Sequence, residues 1–264
     1  MACFLLLLAV QLAPAQTYDQ WLETSFRYLN ENRLDSAEIA LKSALHAEPA
    51  HPMNAFLMHN LGTIQRRQGK KEAALLSYTT ALARYPKNII FLSDRASLFS
   101  EMRQFQNALL DYNTLLQEEP ENVEALYSRG LLYLNIKDFE SAEKDFAAMM
   151  TLNPNSFYAR LGYASLYKFN KNYTEAEKLY FYLIDKEPEN PAVYAGRAEL
   201  YLLMEKPGKA LSDINQAIYK AKEENPYFYI IRSKVYLLLK EKESAQKDRE
   251  KAIALGYVEN LPEP

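Results

Sequence analysis

The sequence predicts an all-α fold made of about seven similar helix-turn-helix hairpins. Three observations predict it. First, an alanine recurs at Ala37, Ala74, Ala108, Ala142, Ala176, Ala210 and Ala245, at spacings of 37, 34, 34, 34, 34 and 35 residues. A fixed period of that length marks stacked supersecondary units. Second, each period carries two amphipathic stripes. From Val123, residues Leu126, Gly130 and Tyr133 lie at i, i+4 and i+7, and after a break at 135–138 the residues Ala142, Phe146 and Met149 repeat that spacing. Third, 264 residues contain only 7 Gly, too few for the many tight turns of an all-β chain.

Taken in order, the chain opens on Phe4 to Leu12, FLLLLAVQL, followed by Ala13-Pro14-Ala15. A short apolar run before an A-x-A pattern has the form of a secretory signal peptide over residues 1–15, and it is about half the length of a membrane span. Cleavage there gives an exported chain, periplasmic or extracellular and not membrane-spanning, that has lost its single cysteine, Cys3. Without cleavage the run reads as a buried helix of a cytoplasmic protein. The hairpins then fall near 18–51, 55–88, 89–122, 123–156, 157–190, 191–224 and 226–259, with a short tail at 260–264. Pro49, Pro86, Pro120, Pro154 and Pro188 stop the second helix of the first five. Asn88, Asn122, Ser156, Asn190 and Asn225 stand where the following helix needs an N-cap. Thr24 and Ser25 at one end and Arg249 at the other read as polar adaptations of terminal units.

This pattern resembles the tetratricopeptide repeat family, which places a large residue at repeat position 4, a small one at 8, an aromatic at 11, Ala at 20, an aromatic at 24, Ala at 27 and Pro at 32. Position 8 is small throughout: Ser25, Gly62, Ala96, Gly130, Ala164, Ala198 and Ser233. Position 11 reads Tyr28, Gln65, Phe99, Tyr133, Tyr167, Tyr201 and Tyr236. Position 27 departs as Leu115, Met149 and Leu183, and position 4 as Arg160. The resemblance implies a right-handed α-solenoid whose first helices line a concave face. It also implies a protein or peptide partner held there, through first-helix positions 2, 5, 6, 9, 12 and 13.

At those positions the second and third repeats are polar, with His59, Asn60, Thr63, Arg66 and Arg67, then Ser93, Asp94, Ser97, Ser100 and Glu101. From the fourth repeat they turn apolar and aromatic. Tyr127, Leu131, Leu134, Tyr158, Leu161, Phe169, Tyr227 and Ile230 are the candidate groove residues. Of the 20 Tyr, ten fall at packing positions 4, 11 or 24, which leaves Tyr127, Tyr158 and Tyr227 as the local binding signal.

A second pattern is internal covariation. Position 7 is Arg95, Arg129, Arg197 and Arg232 in four repeats, and position 23 of the same four is Asp111, Asp145, Asp213 and Asp248. The other three repeats lack both partners: Thr24 with Ala40, Leu61 with Ser77, Tyr163 with Leu179. Pairing within a repeat leaves no orphan charge, so these are expected to be structural salt bridges joining the two helices.

No catalytic set is expected. After cleavage there is no Cys, and His46, His51 and His59 match no metal-binding spacing, so they read as solvated surface histidines. No metal or small-molecule cofactor is expected. Net charge −3 gives no bulk attraction to nucleic acid, and the basic cluster Arg66, Arg67, Lys70 and Lys71 reads as a solvated turn. The sequence thus points to a non-enzymatic, protein-binding scaffold or adaptor of the bacterial envelope. The alternative is a carbohydrate-binding or enzyme-accessory subunit using the Tyr-rich groove.

Overall fold

The structure is a computed structural model that describes residues 17–257. The expected signal segment 1–15 and tail 260–264 lie outside the described residues. Among the described residues there are fourteen α-helices and no strand: α1 Tyr18–Asn30, α2 Leu34–Ala47, α3 Asn54–Arg67, α4 Lys71–Arg84, α5 Ile89–Glu101, α6 Phe105–Glu118, α7 Val123–Asn135, α8 Phe139–Leu152, α9 Phe157–Phe169, α10 Tyr173–Lys186, α11 Pro191–Leu203, α12 Pro207–Lys220, α13 Pro226–Leu238 and α14 Lys242–Ala254. They make seven hairpins of consecutive helices, an all-α repeat architecture. The first helices begin where the repeats were expected to begin, except that α3 starts at Asn54, one residue before Ala55. Two compact bodies result, one ending at Glu119 with α1–α6, the other beginning at Pro120 with α7–α14.

The elements form for local reasons. Side chains of Asn88, Asn122, Ser156, Asn190 and Asn225 accept backbone N–H bonds at the starts of α5, α7, α9, α11 and α13, satisfying donors that a helix start leaves orphaned. Thr17 and Gln20 form a reciprocal capping box on α1. Every hairpin turn closes with the same device: an i to i−5 backbone bond, such as Asp138 N–H to Tyr133 C=O at 2.8 Å, beside a residue at positive φ. That residue is Asn32, Gly69, Arg103, Lys137, Lys171, Glu205 or Lys240. Only one of the seven is glycine, so the low Gly count reflects left-handed turns made by ordinary residues as well as a shortage of loops.

The seven period-marking alanines are all buried, at 3% exposure or less, because the two helices of a hairpin touch there. In the first body Tyr18, Ala37, Leu41, Ala44, Leu57 and Ile64 form one core cluster. In the second, Ala164, Ala176, Tyr180, Leu183, Val193 and Leu200 form another, and Tyr194, Ala198, Tyr201, Ile214, Phe228 and Ile231 belong to a third. The expectation of a polar N-terminal end is corrected at Ser25. It is 1% exposed and donates to Leu22 C=O at 2.7 Å, so it is a tight packing residue.

Candidate functional site: the first-helix face of the second body

In the second body α7 packs against α9, α9 against α11 and α11 against α13, so equivalent first-helix positions line up as a row. Tyr127 and Tyr158 meet with ring centroids 5.5 Å apart. Tyr127 also leans on Phe146 of α8, at 6.3 Å. Burial, with Tyr180 and Tyr158 close by, pushes the Tyr127 phenol well above its ordinary value, so it stays protonated. Tyr158, Phe169, Leu203, Tyr227, Leu237 and Leu238 are large apolar side chains left about half exposed along α9, α11 and α13.

Glycines open this face. A Cβ at Gly162 would stand 2.5 Å from the Phe146 ring, and one at Gly196 would stand 2.8 Å from the Tyr180 hydroxyl. Because position 6 is Gly in these two repeats, the position-24 ring of the preceding hairpin reaches toward the first-helix face. The sequence reading missed this role for Phe146, Tyr180, Gly162 and Gly196; glycine at position 6 in two consecutive repeats was the available signal.

It also missed a charged network. Lys168 is buried and its Nζ lies 2.6 Å from Glu199 Oε2. Glu199 Oε1 in turn accepts a hydrogen bond from the Tyr227 hydroxyl. Burial opposes the charge on Lys168, but the Tyr180 oxygen and the Glu199 carboxylate together raise its pKa, so the ammonium stays charged. The sequence signal was faint: a Lys at position 12 and a Glu at position 9 of the next repeat, 31 residues on.

The candidate groove residues divide. The structure brings Tyr127 and Tyr158 together and leaves Tyr158, Phe169 and Tyr227 exposed. Leu131 is half-buried. Leu161 is half-buried and packs on the core. Leu134 and Ile230 need correction. Leu134 is 2% exposed and Ile230 is 9% exposed, so neither offers a surface to a partner. Position 12 faces the next first helix rather than the groove, as Lys168 shows by reaching Glu199 from the same position, and Ile230 is covered where α13 packs against α11 and α12.

The position-7 arginines hold the position-23 aspartates within their own hairpins. Nε and Nη2 of Arg95, Arg129, Arg197 and Arg232 each donate to Asp111, Asp145, Asp213 and Asp248, at 2.6 to 3.0 Å. In the second repeat, where that pair is absent, a different buried set replaces it. Ser77 donates to Gln65, Gln65 to Glu38, and Lys70 reaches Glu38 from the exposed side.

The polar first-helix face of the first body is not a row of free charges. His59 lies 2.6 Å from Asp94 and stacks on Phe91 at 4.6 Å, and Arg66 donates twice to Glu101. His51 stacks on Tyr18 at 4.1 Å. His51 and His59 are therefore packed residues, not solvated ones. The basic turn is likewise engaged: Arg67 reaches Asn32, Lys70 reaches Glu38, and Lys71 reaches Glu101 C=O. Among the described residues no group of three or more His, Cys, Asp or Glu side chains is placed to hold a metal, and no helix is long and apolar enough to cross a membrane.

Comparison with known proteins adds the following. Family profiles described as Tetratricopeptide repeat match residues 27–89, 93–157 and 137–200. The chain is similar to a tetratricopeptide repeat protein from Parabacteroides merdae. Identity is 45% over 91% of this chain and 93% of that one, with a TM-score of 0.81. Pseudomonas aeruginosa PilF is 20% identical over 78% of this chain and 93% of its own, with a TM-score of 0.57. Yeast Tom70 is 17% identical over 93% of this chain and 55% of its own, with a TM-score of 0.67. The last two are likenesses of fold alone. No curated protein matches the sequence.

Proposed function

The chain belongs to the tetratricopeptide repeat family, and from that premise we propose that it is a non-enzymatic scaffold or adaptor holding a protein or peptide on the first-helix face of residues 120–257. One observation carries this reading: six large apolar side chains stay half exposed along α9, α11 and α13, and one of them, Tyr158, pairs with Tyr127 of α7. Large apolar side chains left exposed along one set of helices of a folded body mark an interaction surface. The neutralised Lys168–Glu199 pair beneath it supplies polar anchoring without net charge, which suits an uncharged or amphipathic segment over a strongly acidic or basic one. The polar counterpart in the first body, with His59, Arg66, Asp94 and Glu101 already bonded to one another, has less to offer a ligand.

The FLLLLAVQL-APA segment supports export, and a 45% identical bacterial relative supports a bacterial source. We place the working protein in the cell envelope on those grounds. N-terminal sequencing of the protein recovered from native cells tests this, since a start at Met1 contradicts export. The binding role is tested by cross-linked capture from the envelope with parent protein and with Tyr158→Glu and Tyr227→Glu. Equal capture by folded variants contradicts the groove, and binding of soluble glycans in place of peptides moves the assignment to carbohydrate recognition.

A further inference from the structure

The first period is irregular: Ala37 and Ala74 are 37 residues apart where the usual distance is 34. The structure locates the three extra residues. The link between α2 and α3 spans 48–53, six residues, where the links at 85–88, 119–122, 153–156 and 187–190 have four; α3 is itself one residue longer than the other first helices. The added turn contains Pro49, His51 and Pro52, and its last residue, Met53, gives α3 no side-chain cap.

This link borders a cleft of about 850 Å³ between α2, α3 and α4. Leu45, Ala55, Met58 and Leu61 give it an apolar floor, and Lys42, His46, His51 and Arg84 stand around it. No carboxylate is among its lining residues. The histidines have defined roles. His46 Nδ1 faces Lys42 C=O at 2.8 Å and must donate, while His51 Nδ1 accepts the Met53 N–H at 3.2 Å and so leaves its proton on Nε2. His51 is fixed by its stack on Tyr18. Lys42 is balanced by Glu38, and Lys70 by Glu38 and Asp35, so Arg84 gives the cleft its net positive charge.

A concave, mostly apolar cleft of a few hundred to a thousand Å³ with a few polar groups has the dimensions of a small-molecule site. We propose that it binds a small amphipathic carboxylate, its hydrocarbon part on Leu45, Met58 and Leu61 and its carboxylate toward Lys42, His51 and Arg84. The site is separate from the first-helix face of residues 120–257 and independent of the reading given for it.

Isothermal titration of the full chain with octanoate, acetate and 1-octanol tests this. Octanoate is expected to bind at one site per chain, at least about tenfold more tightly than either half-probe, a difference of about 1.4 kcal/mol. Met58→Trp, which fills the cleft, and Arg84→Glu, which reverses its charge, are each expected to weaken octanoate about tenfold or more, while Tyr158→Glu leaves it unchanged. Imidazole resonances of His46 and His51 should move on titration and those of His59 should not. No octanoate binding, equal binding of octanol, or unchanged affinity in both folded cleft variants overturns the proposal. So does movement of His59 in place of His46 and His51.

Discussion

Arg129 grips Asp145 through two parallel hydrogen bonds, from Nε at 3.0 Å and Nη2 at 2.6 Å, and so ties α7 to α8 inside one hairpin. The aspartate side chain is 4% exposed and the arginine 20%. Burial works against the charge on Arg129, but the bonds to Asp145 and its negative charge raise the guanidinium pKa. Removing one partner strands the other in a poorly solvated place, which costs about 3–5 kcal/mol for a buried pair. Asp145→Ala and Arg129→Ala are each expected to lose stability on that order in denaturant unfolding. The double variant should lose much less than the sum of the two. Strict additivity would show that the pair is not coupled.

Acid should act on the first body through Glu38. Burial alone would raise its carboxyl pKa, but hydrogen bonds from Lys42, Lys70 and Gln65 lower it from 4.5 to about 2. A folded-state pKa below the unfolded one means that ionised Glu38 contributes stability above about pH 4.5, and that this is lost as pH falls through about 2. Lys42 and Lys70 are half in solvent, so the contribution is on the order of 1–2 kcal/mol, not the full value of the shift. Glu38→Gln should flatten the stability-against-pH curve between those limits and leave the curve above pH 5 parallel to the parent's. An unchanged acid limb would remove Glu38 from the explanation.

The hairpin turns store local strain that a single substitution can release. Lys137 sits at φ +62° at the end of α7, a conformation that costs an L-residue about 1–2 kcal/mol and glycine nothing steric. Glycine gives back part of that gain through its freer unfolded chain. Lys137→Gly is therefore expected to raise the free energy of unfolding modestly, by up to about 1 kcal/mol. The same change at Lys144, in the middle of α8, should lower it by about as much. A loss at position 137 would contradict the strain.

Much of this architecture was legible because it repeats. The alanine period placed each hairpin, the Asn and Ser caps placed the first helices, and covariation of positions 7 and 23 named the Arg–Asp partners and their register. What the sequence concealed depends on the angle between neighbouring hairpins, which no single period encodes. Leu134 looked like a groove residue and is buried, because position 12 turns toward the next first helix. His59 looked solvated and is stacked on Phe91, one repeat further on. Lys168 and Glu199 are likewise partners across a repeat boundary, and each alone reads as an ordinary surface charge.

The boundary one repeat earlier makes Phe146 a sensitive joint. Its ring is fully buried between two glycines of the second body, Gly130 of α7 in its own hairpin and Gly162 of α9 in the next. A Cβ at either glycine would stand 2.5 Å from ring carbons, closer than side chains tolerate. The ring cannot retreat from one glycine without meeting the other. Gly162→Ala is therefore expected to cost about 1–3 kcal/mol through overpacking, even though alanine is the better helix former. It should also disturb the Tyr127–Tyr158 pair, because Tyr127 rests on the same ring. Phe146→Leu supplies the control. Its smaller side chain should be destabilising alone, through the lost ring, yet should restore part of what Gly162→Ala removes when the two are combined. Thermal unfolding of the four proteins reads the coupling directly. A fully additive pair, or a Gly162→Ala variant more stable than the parent, would show that the ring is not confined between these helices.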